Sequence, residues 1–204
     1  MSTETAAPGV LEFNHANHEY RLGGRVLPSV TEILADNGFI NPTWYTEEGR
    51  TRGTDVHALC QFFDEGDYDP KEAERLGLAG YVESWNKLKT RLQLEVLDIE
   101  KRMADPVNLF AGTADRLVRQ RARRWILDFK SGGKEGWHRY QLGGYEQLYQ
   151  ANGLAGVLRG SVYLKADGSM ADLVPHEDDG DRLYFLAFNA TTQARRSHGI
   201  SNSR

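Results

Sequence analysis

The sequence predicts an α/β protein of the α+β type, with helices flanking a central sheet that is mixed and mostly antiparallel. Three observations carry this expectation. Three apolar, strand-like runs, LEVLDIEKRM, VNLFAGTADRLV and RRWILDFK, follow one another with short polar connections between them. A helix-period segment precedes them, GYVESWNKLKTRL at 80–92, and another follows, WHRYQLGGYEQLYQANG at 137–153. The resulting order of helix, three strands, helix and strand fits a layered sheet better than a doubly wound parallel one. With 204 residues, 40% of them hydrophobic, and no repeat or linker, one domain over residues 10–190 is expected, between flexible tails at 1–9 and 191–204.

The remaining elements read in chain order. LEFN and HEYRL-GG-RVLPS are short strands, with Gly23-Gly24 suited to a two-residue hairpin turn. In SVTEILADNG, Ser29 and Glu32 make a capping-box pattern, and Gly38 can close the helix. RGTDVHALCQFF is a helix whose apolar stripe is Val56, Leu59, Cys60 and Phe63. After residue 153, GSVYLKADGSMADLVPH reads as a hairpin around Asp167-Gly168, and DRLYFLAF as a last helix.

Bulk composition excludes several classes. A net charge of −4 argues against a globally basic nucleic-acid wrapper, so contact with an acidic polymer needs a local patch or bound cations. RLVRQRARR, 116–124, holds five arginines in nine positions and reads either as a solvated hairpin tip or as a phosphate contact. The single cysteine, Cys60, cannot support a disulfide framework, a Cys-ligated zinc site or an iron–sulfur cluster, and its apolar neighbours predict a buried, inert thiol. MSTETAAPG lacks the charged and apolar regions of a signal peptide, and no run of about 18 apolar residues could span a bilayer. A soluble, cytoplasmic protein without membrane contact is expected.

The segment WILDFKSGG places two charges, Asp128 and Lys130, in a strand-like apolar run. Residues two apart in a strand share a face, so these two point together and opposite to Leu127 and Phe129. If Gln120–Arg123 forms a four-residue hairpin loop, Arg119 pairs with Arg124 and Asp115 falls opposite Asp128. Two facing carboxylates repel unless a cation or proton lies between them. A hard divalent ion suits such a site, here expected at the sheet edge, with Lys130 steadying negative charge beside it. The other reading of the spacing is a salt-bridged cluster on a solvated face.

FAGTAD, ILDFK and QLGGY together resemble the PD-(D/E)xK nuclease superfamily, most closely its RecB-like and phage exonuclease branch. The matching pieces are Gly112 and Asp115, Asp128 and Lys130, and Gln141 and Tyr145. RGTDVH also resembles the branch's Gly-x-x-x-His helix, and Glu100 stands where many members carry an acidic residue. The resemblance covers about residues 50–150, and PSVTEIL is similar to phage members as well. It implies a restriction-endonuclease-like core and a Mg²⁺- or Mn²⁺-dependent deoxyribonuclease, most simply a small exonuclease in phage or prophage recombination. Asp115, Asp128, His57 and the backbone carbonyl of Phe129 would then hold one or two ions. Lys130 would orient the attacking water or stabilise the transition state, with Glu100 as a further catalytic residue. Gln141 and Tyr145 would brace the site or touch the DNA backbone. Cluster-bearing subtypes are excluded by the cysteine count.

The implied partners are linear duplex or single-stranded DNA ends and a single-strand annealing protein, with homo-oligomerisation open. An endonuclease of the same fold and a non-cleaving DNA or partner binder are the competing functions. Arg50 and Arg52, beside the His57 helix, are placed to reach a terminal phosphate, and Arg116 opens the basic run. Gly143 and Gly144, inside a helix, point to close approach of another backbone, either DNA or a packed strand. Weaker candidates are His15 and His18 in HANH, read as loop histidines, and PHEDDGD at 175–181, read as a solvated loop. Trp44, Trp125, Trp137 and Tyr140 could stack on bases, though most are expected in packing.

Overall fold

The computed structural model describes residues 9–41, 43 and 46–199. Trp44 and residues 1–8 and 200–204 lie outside the described residues. Strands β1 (Leu11–Asn14), β2 (Glu19–Leu22) and β3 (Arg25–Leu27) form a small antiparallel sheet. Its second turn is the expected glycine pair, and φ values of +56° at Gly23 and +80° at Gly24 are those a side chain would resist. Helix α1 (Val30–Asp36) begins at the expected capping box: Ser29 accepts from the Glu32 N–H at 3.1 Å, and the Ser29 N–H donates to Glu32 at 2.6 Å. Helix α2 (Glu47–Glu65) starts earlier than its apolar stripe indicated, because Thr46 caps Gly49. A short helix α3 (Pro70–Arg75), not anticipated from the sequence, follows the cap Asp69 with proline in its first turn. Helix α4 (Ala79–Leu92) lies where expected.

The main sheet contains β4 (Glu95–Asp105), β5 (Phe110–Gln120), β6 (Arg123–Lys130), β7 (Leu158–Tyr163) and β8 (Asp172–Pro175), in that spatial order. Only β6 and β7 are parallel, because helix α5 (His138–Ala151) carries the chain between them. The fold is thus a mixed α/β architecture with a five-stranded mixed sheet, helices and a small antiparallel sheet, as the periodicities predicted at that level.

Both faces of the sheet are buried. Val118, Leu127, Phe129 and Val162 pack under α2 and α4, while Ala114, Leu117 and Ile126 pack under α1, α5 and the last helix, α6 (Gly180–Ser197). This two-sided burial explains why β6 reads as a continuous apolar run. Asp128, 1% exposed, is therefore interior, and the solvated-cluster reading of the Asp-x-Lys pair fails.

Several expectations need correction. The β5–β6 loop has two residues, Arg121 and Ala122, not four, since Gln120 pairs with Arg123; the inferred register is unchanged. β6 lies between β5 and β7, so its carboxylate is not at a sheet edge. Residues 191–197 are not a tail: helix α6 (Gly180–Ser197) continues through them and buries Thr192. The acidic PHEDDGD segment is docked, because Asp181 is buried against Arg139 and Arg159. Gly143 and Gly144 accommodate α6 and α1, not a strand or DNA. A Cβ on Gly143 would lie 2.7 Å from the Asp181 carbonyl oxygen, and one on Gly144 would meet Phe185 and Val30. Among the described residues, no helix is long and apolar enough to cross a membrane.

Candidate metal centre

The ladder between β5 and β6 stops at Arg116 and Leu127, one step short of Asp115 and Asp128. There the Asp115 side chain replaces the backbone partner, and its Oδ2 accepts the Phe129 N–H at 2.6 Å. On the other flank of β5, Ile99 pairs with Arg116 and Lys101 with Ala114, so Glu100 falls opposite Asp115. Glu100, Asp115 and Asp128 thus form one row across three adjacent strands. Glu100 adopts a left-handed φ of +44°, a conformation that non-glycine residues rarely hold.

His57 reaches this row from α2. Its Nε2 lies 3.1 Å from the Phe129 carbonyl oxygen, which can only accept, so Nε2 donates. In the neutral ring Nδ1 is then a bare lone pair, 3.5 Å from Asp115 Oδ2. One ligand atom each from His57, Glu100 and Asp115 lie within 4.8 Å of one another. Asp128 is drawn the other way: its Oδ2 forms a close ion pair with Lys130 Nζ at 2.6 Å. Lys130 also donates to Gln141 Oε1 at 2.7 Å, and Gln141 Nε2 donates to the Tyr145 hydroxyl at 3.1 Å.

These groups line a cavity of about 230 Å³ together with Tyr20, Thr31, Gly112 and Thr113. Burial, reinforced by the Asp115 charge, raises the Glu100 carboxyl to about 8. Burial raises Asp128 to about 6, with Lys130 opposing and Asp115 adding to the shift. Both carboxyls are costly to ionise without further positive charge. Tyr145 is held well above its ordinary range by burial, so its hydroxyl serves as a neutral hydrogen-bonding group.

No protein-family model matches this chain, and no curated protein does. Among solved structures, the crystal structure of SSO0001 is similar over 72% of this chain and 76% of that one, at 15% identity and a TM-score of 0.35. A likeness this distant carries no argument about the site.

Most of the residues singled out in the sequence converge. His57, Glu100, Asp115, Asp128, Lys130, Gln141 and Tyr145 all border one cavity. Gln141 and Tyr145 are buried, with the Gln141 amide bonded to Lys130 and Tyr145, so the pair is not an ordinary helix surface. Arg50 and Arg52 are exposed and line an adjoining cleft of about 540 Å³ that shares Thr31, His57 and Lys130 with the cavity. Trp137 lines this same cleft, while Trp125 packs on the core and Tyr140 on Phe39 and Phe188.

Arg116 is not a surface arginine. It is fully buried, pairs with Asp64 at 2.8 Å, donates to the Asp115 carbonyl at 2.6 Å and approaches Glu100 at 3.3 Å. Direct DNA contact through Arg116 is excluded by that burial. Asp64 was missed in the sequence, yet it lies four residues after Cys60 on the apolar stripe of α2, where a charge requires a partner. It accepts from Trp85 and Lys89 as well. Cys60 is buried among the apolar side chains and its thiol is pushed up to about 12 by burial, which suits the inert role expected.

Proposed function

We propose that this protein is a Mg²⁺- or Mn²⁺-dependent deoxyribonuclease of the PD-(D/E)xK type that degrades DNA from an end. The carrying observation is the row Glu100–Asp115–Asp128 across three strands, with Lys130 two residues beyond Asp128, around one cavity. A divalent cation fits this donor set. Three carboxylates and an imidazole are hard or borderline donors, and the buried Asp128 Oδ2 has the Lys130 ammonium beside it as its one close partner among the described residues. When bound, such an ion supplies a Lewis acid for a phosphoryl oxygen and makes a water acidic near neutral pH.

The chain's own residues do the rest. Asp115, Glu100 and His57 would hold the ion, with Asp128 completing the set and the Phe129 carbonyl orienting His57. Lys130 Nζ, fixed by Gln141, faces the cavity as the cation placed to stabilise charge developing on the phosphate. Tyr145 holds Gln141 in turn. Arg50 and Arg52, in the cleft beside Lys130, support an end-dependent reading, since their guanidinium groups can pair with a terminal phosphate.

The test is digestion of end-labelled linear DNA with Mg²⁺ or Mn²⁺, with and without a 5′-phosphate, beside a closed circle. Loss of activity with chelator and in Lys130→Ala, with the circle spared, is the expected result. Cutting of the circle would make the protein an endonuclease of the same fold. DNA binding without any cleavage would make it a binding module.

A further inference from the structure

The His15-x-x-His18 pair lies in the β1–β2 turn, as expected for loop histidines, but this turn forms the outer wall of the candidate centre. His18, held at φ +52°, lines both the 230 Å³ cavity and an adjoining open cleft of about 640 Å³. The two spaces also share Thr31, His57, Glu100 and Thr113, so the cleft continues directly from the carboxylate row. The cleft of Arg50 and Arg52 meets it at Thr31 and His57, but that cleft takes in Lys130 and neither Glu100 nor Thr113.

This second exit carries a built cationic and aromatic group. The Arg102 guanidinium stacks 4.6 Å from the Phe13 ring centre, and its Nη2 lies 3.3 Å from His15 Nε2. An arginine can only donate, so His15 Nε2 accepts and the neutral ring carries its proton on Nδ1. Phe13 also makes T-shaped contacts with His15 and His18, at 4.8 and 5.1 Å between ring centres. Arg102, His15 and His18 are all exposed, and among the described residues Arg102 has no acidic partner. Arg102 follows Glu100 by two residues on β4.

We infer that Arg102, His15 and His18 form a binding subsite for the nucleotide adjoining the scissile phosphate. Arg102 takes that nucleotide's phosphate, and the His18 ring offers its face to the base. The inference rests on the nuclease reading. A chain with its scissile phosphate at the carboxylate row must leave along one of the two clefts. This one presents what a single strand needs, a fixed cation beside a stacking surface. Arg102 is preorganised by Phe13 and His15, so little side-chain freedom is lost on binding.

The test compares the wild type, Arg102→Gln, Arg102→Lys and His18→Ala for binding of a short fluorescent single-stranded oligodeoxynucleotide and of a mononucleotide, with Mn²⁺ present. Lys130→Ala serves as a non-cleaving background, and a phosphorothioate oligonucleotide on otherwise wild-type protein provides an independent reading. Arg102→Gln should weaken the oligonucleotide about tenfold and lower the slope of log affinity against log salt by about 0.7, as expected for one lost single-strand phosphate contact. Arg102→Lys should recover most of that slope. His18→Ala should weaken binding about fivefold without altering the slope. Mononucleotide and Mn²⁺ affinities should stay unchanged in all variants. Unchanged oligonucleotide binding, or equal loss for the mononucleotide, overturns the subsite. If the wild type neither binds nor degrades DNA, the nuclease reading itself falls, a result distinct from these.

Discussion

The carboxylate of Asp115 and the backbone N–H of Phe129 are joined by a 2.6 Å hydrogen bond that takes the place of the next rung between β5 and β6. One side chain thereby satisfies a buried backbone donor and opens the sheet where the carboxylate row needs room. An amide oxygen can accept the same bond, so Asp115→Asn should keep its melting temperature within a few degrees. The charge is lost, and Mn²⁺ affinity measured by calorimetry should fall at least tenfold. Wild-type affinity in this variant would remove Asp115 from the ligand set.

Gln141→Ala separates bracing from substrate contact. The substitution frees Lys130 and leaves the buried Tyr145 hydroxyl without its donor. We expect kcat to drop ten- to a hundredfold with KM little changed, because Lys130 loses its orientation and not its charge. A matching rise in KM at constant kcat would instead mark Gln141 as a DNA contact.

Arg116→Gln should behave as a core substitution. It leaves the buried Asp64 carboxylate with Lys89 as its remaining cation, at a cost of up to about 3–5 kcal/mol, the figure for a buried charge left without a partner. Chemical denaturation measures this. The salt dependence of DNA binding should not change, since no phosphate reaches a buried guanidinium.

Gly143→Ala tests the α5–α6 contact. Alanine normally favours a helix by about 1 kcal/mol over glycine. Here the added methyl would stand 2.7 Å from the Asp181 carbonyl oxygen, and backbone cannot yield as a side chain can. Net destabilisation of about 1–3 kcal/mol is expected. A stabilised variant would mean that the two helices are not held this closely.

Stability against pH should carry two signatures of opposite sign. Glu100 is raised from 4.5 to about 8 by burial and then by Asp115, so the fold binds its proton more tightly than the unfolded chain does. Stability without metal should therefore decline as pH rises from about 4.5 through about 8. Asp128 adds a similar decline between 3.8 and about 6. His138, lowered from 6.5 to about 3 by burial, does the reverse and loses stability as pH falls through that window. Between pH 6.5 and 8 the Glu100 decline stands alone among these three. Glu100→Gln should flatten it in a series of melting temperatures, and Mn²⁺ should flatten it in the wild type. A slope that persists in Glu100→Gln would place its origin elsewhere.

Much of the fold was legible because it is written in short-range patterns. The capping box at Ser29 and Glu32, the Gly23-Gly24 turn and the three consecutive strands depend on neighbours within a few residues. The facing of Asp115 and Asp128 followed from strand register alone, which survives the error in loop length because removing one loop residue from each end only adds the Gln120–Arg123 rung. Helix α3 was missed because six residues give too little periodicity to read. The end of α6 was missed because TTQARRS is polar, and only contacts with α1 and with Leu109 in the turn before β5 make a helix of it.

What the sequence by itself determined was the identity of the charged residues and the strand positions that bring Asp115 and Asp128 side by side. Tertiary structure decided what surrounds them. It buried Arg116 from a run that reads as surface, brought Glu100 and His57 onto the carboxylates from separate elements, turned Gln141 and Tyr145 inward, and set His18 at the mouth of the cleft. Those outcomes turn on which faces of distant elements meet, and on the cost of leaving a buried charge without a partner. Neither quantity is carried by any local stretch of the chain.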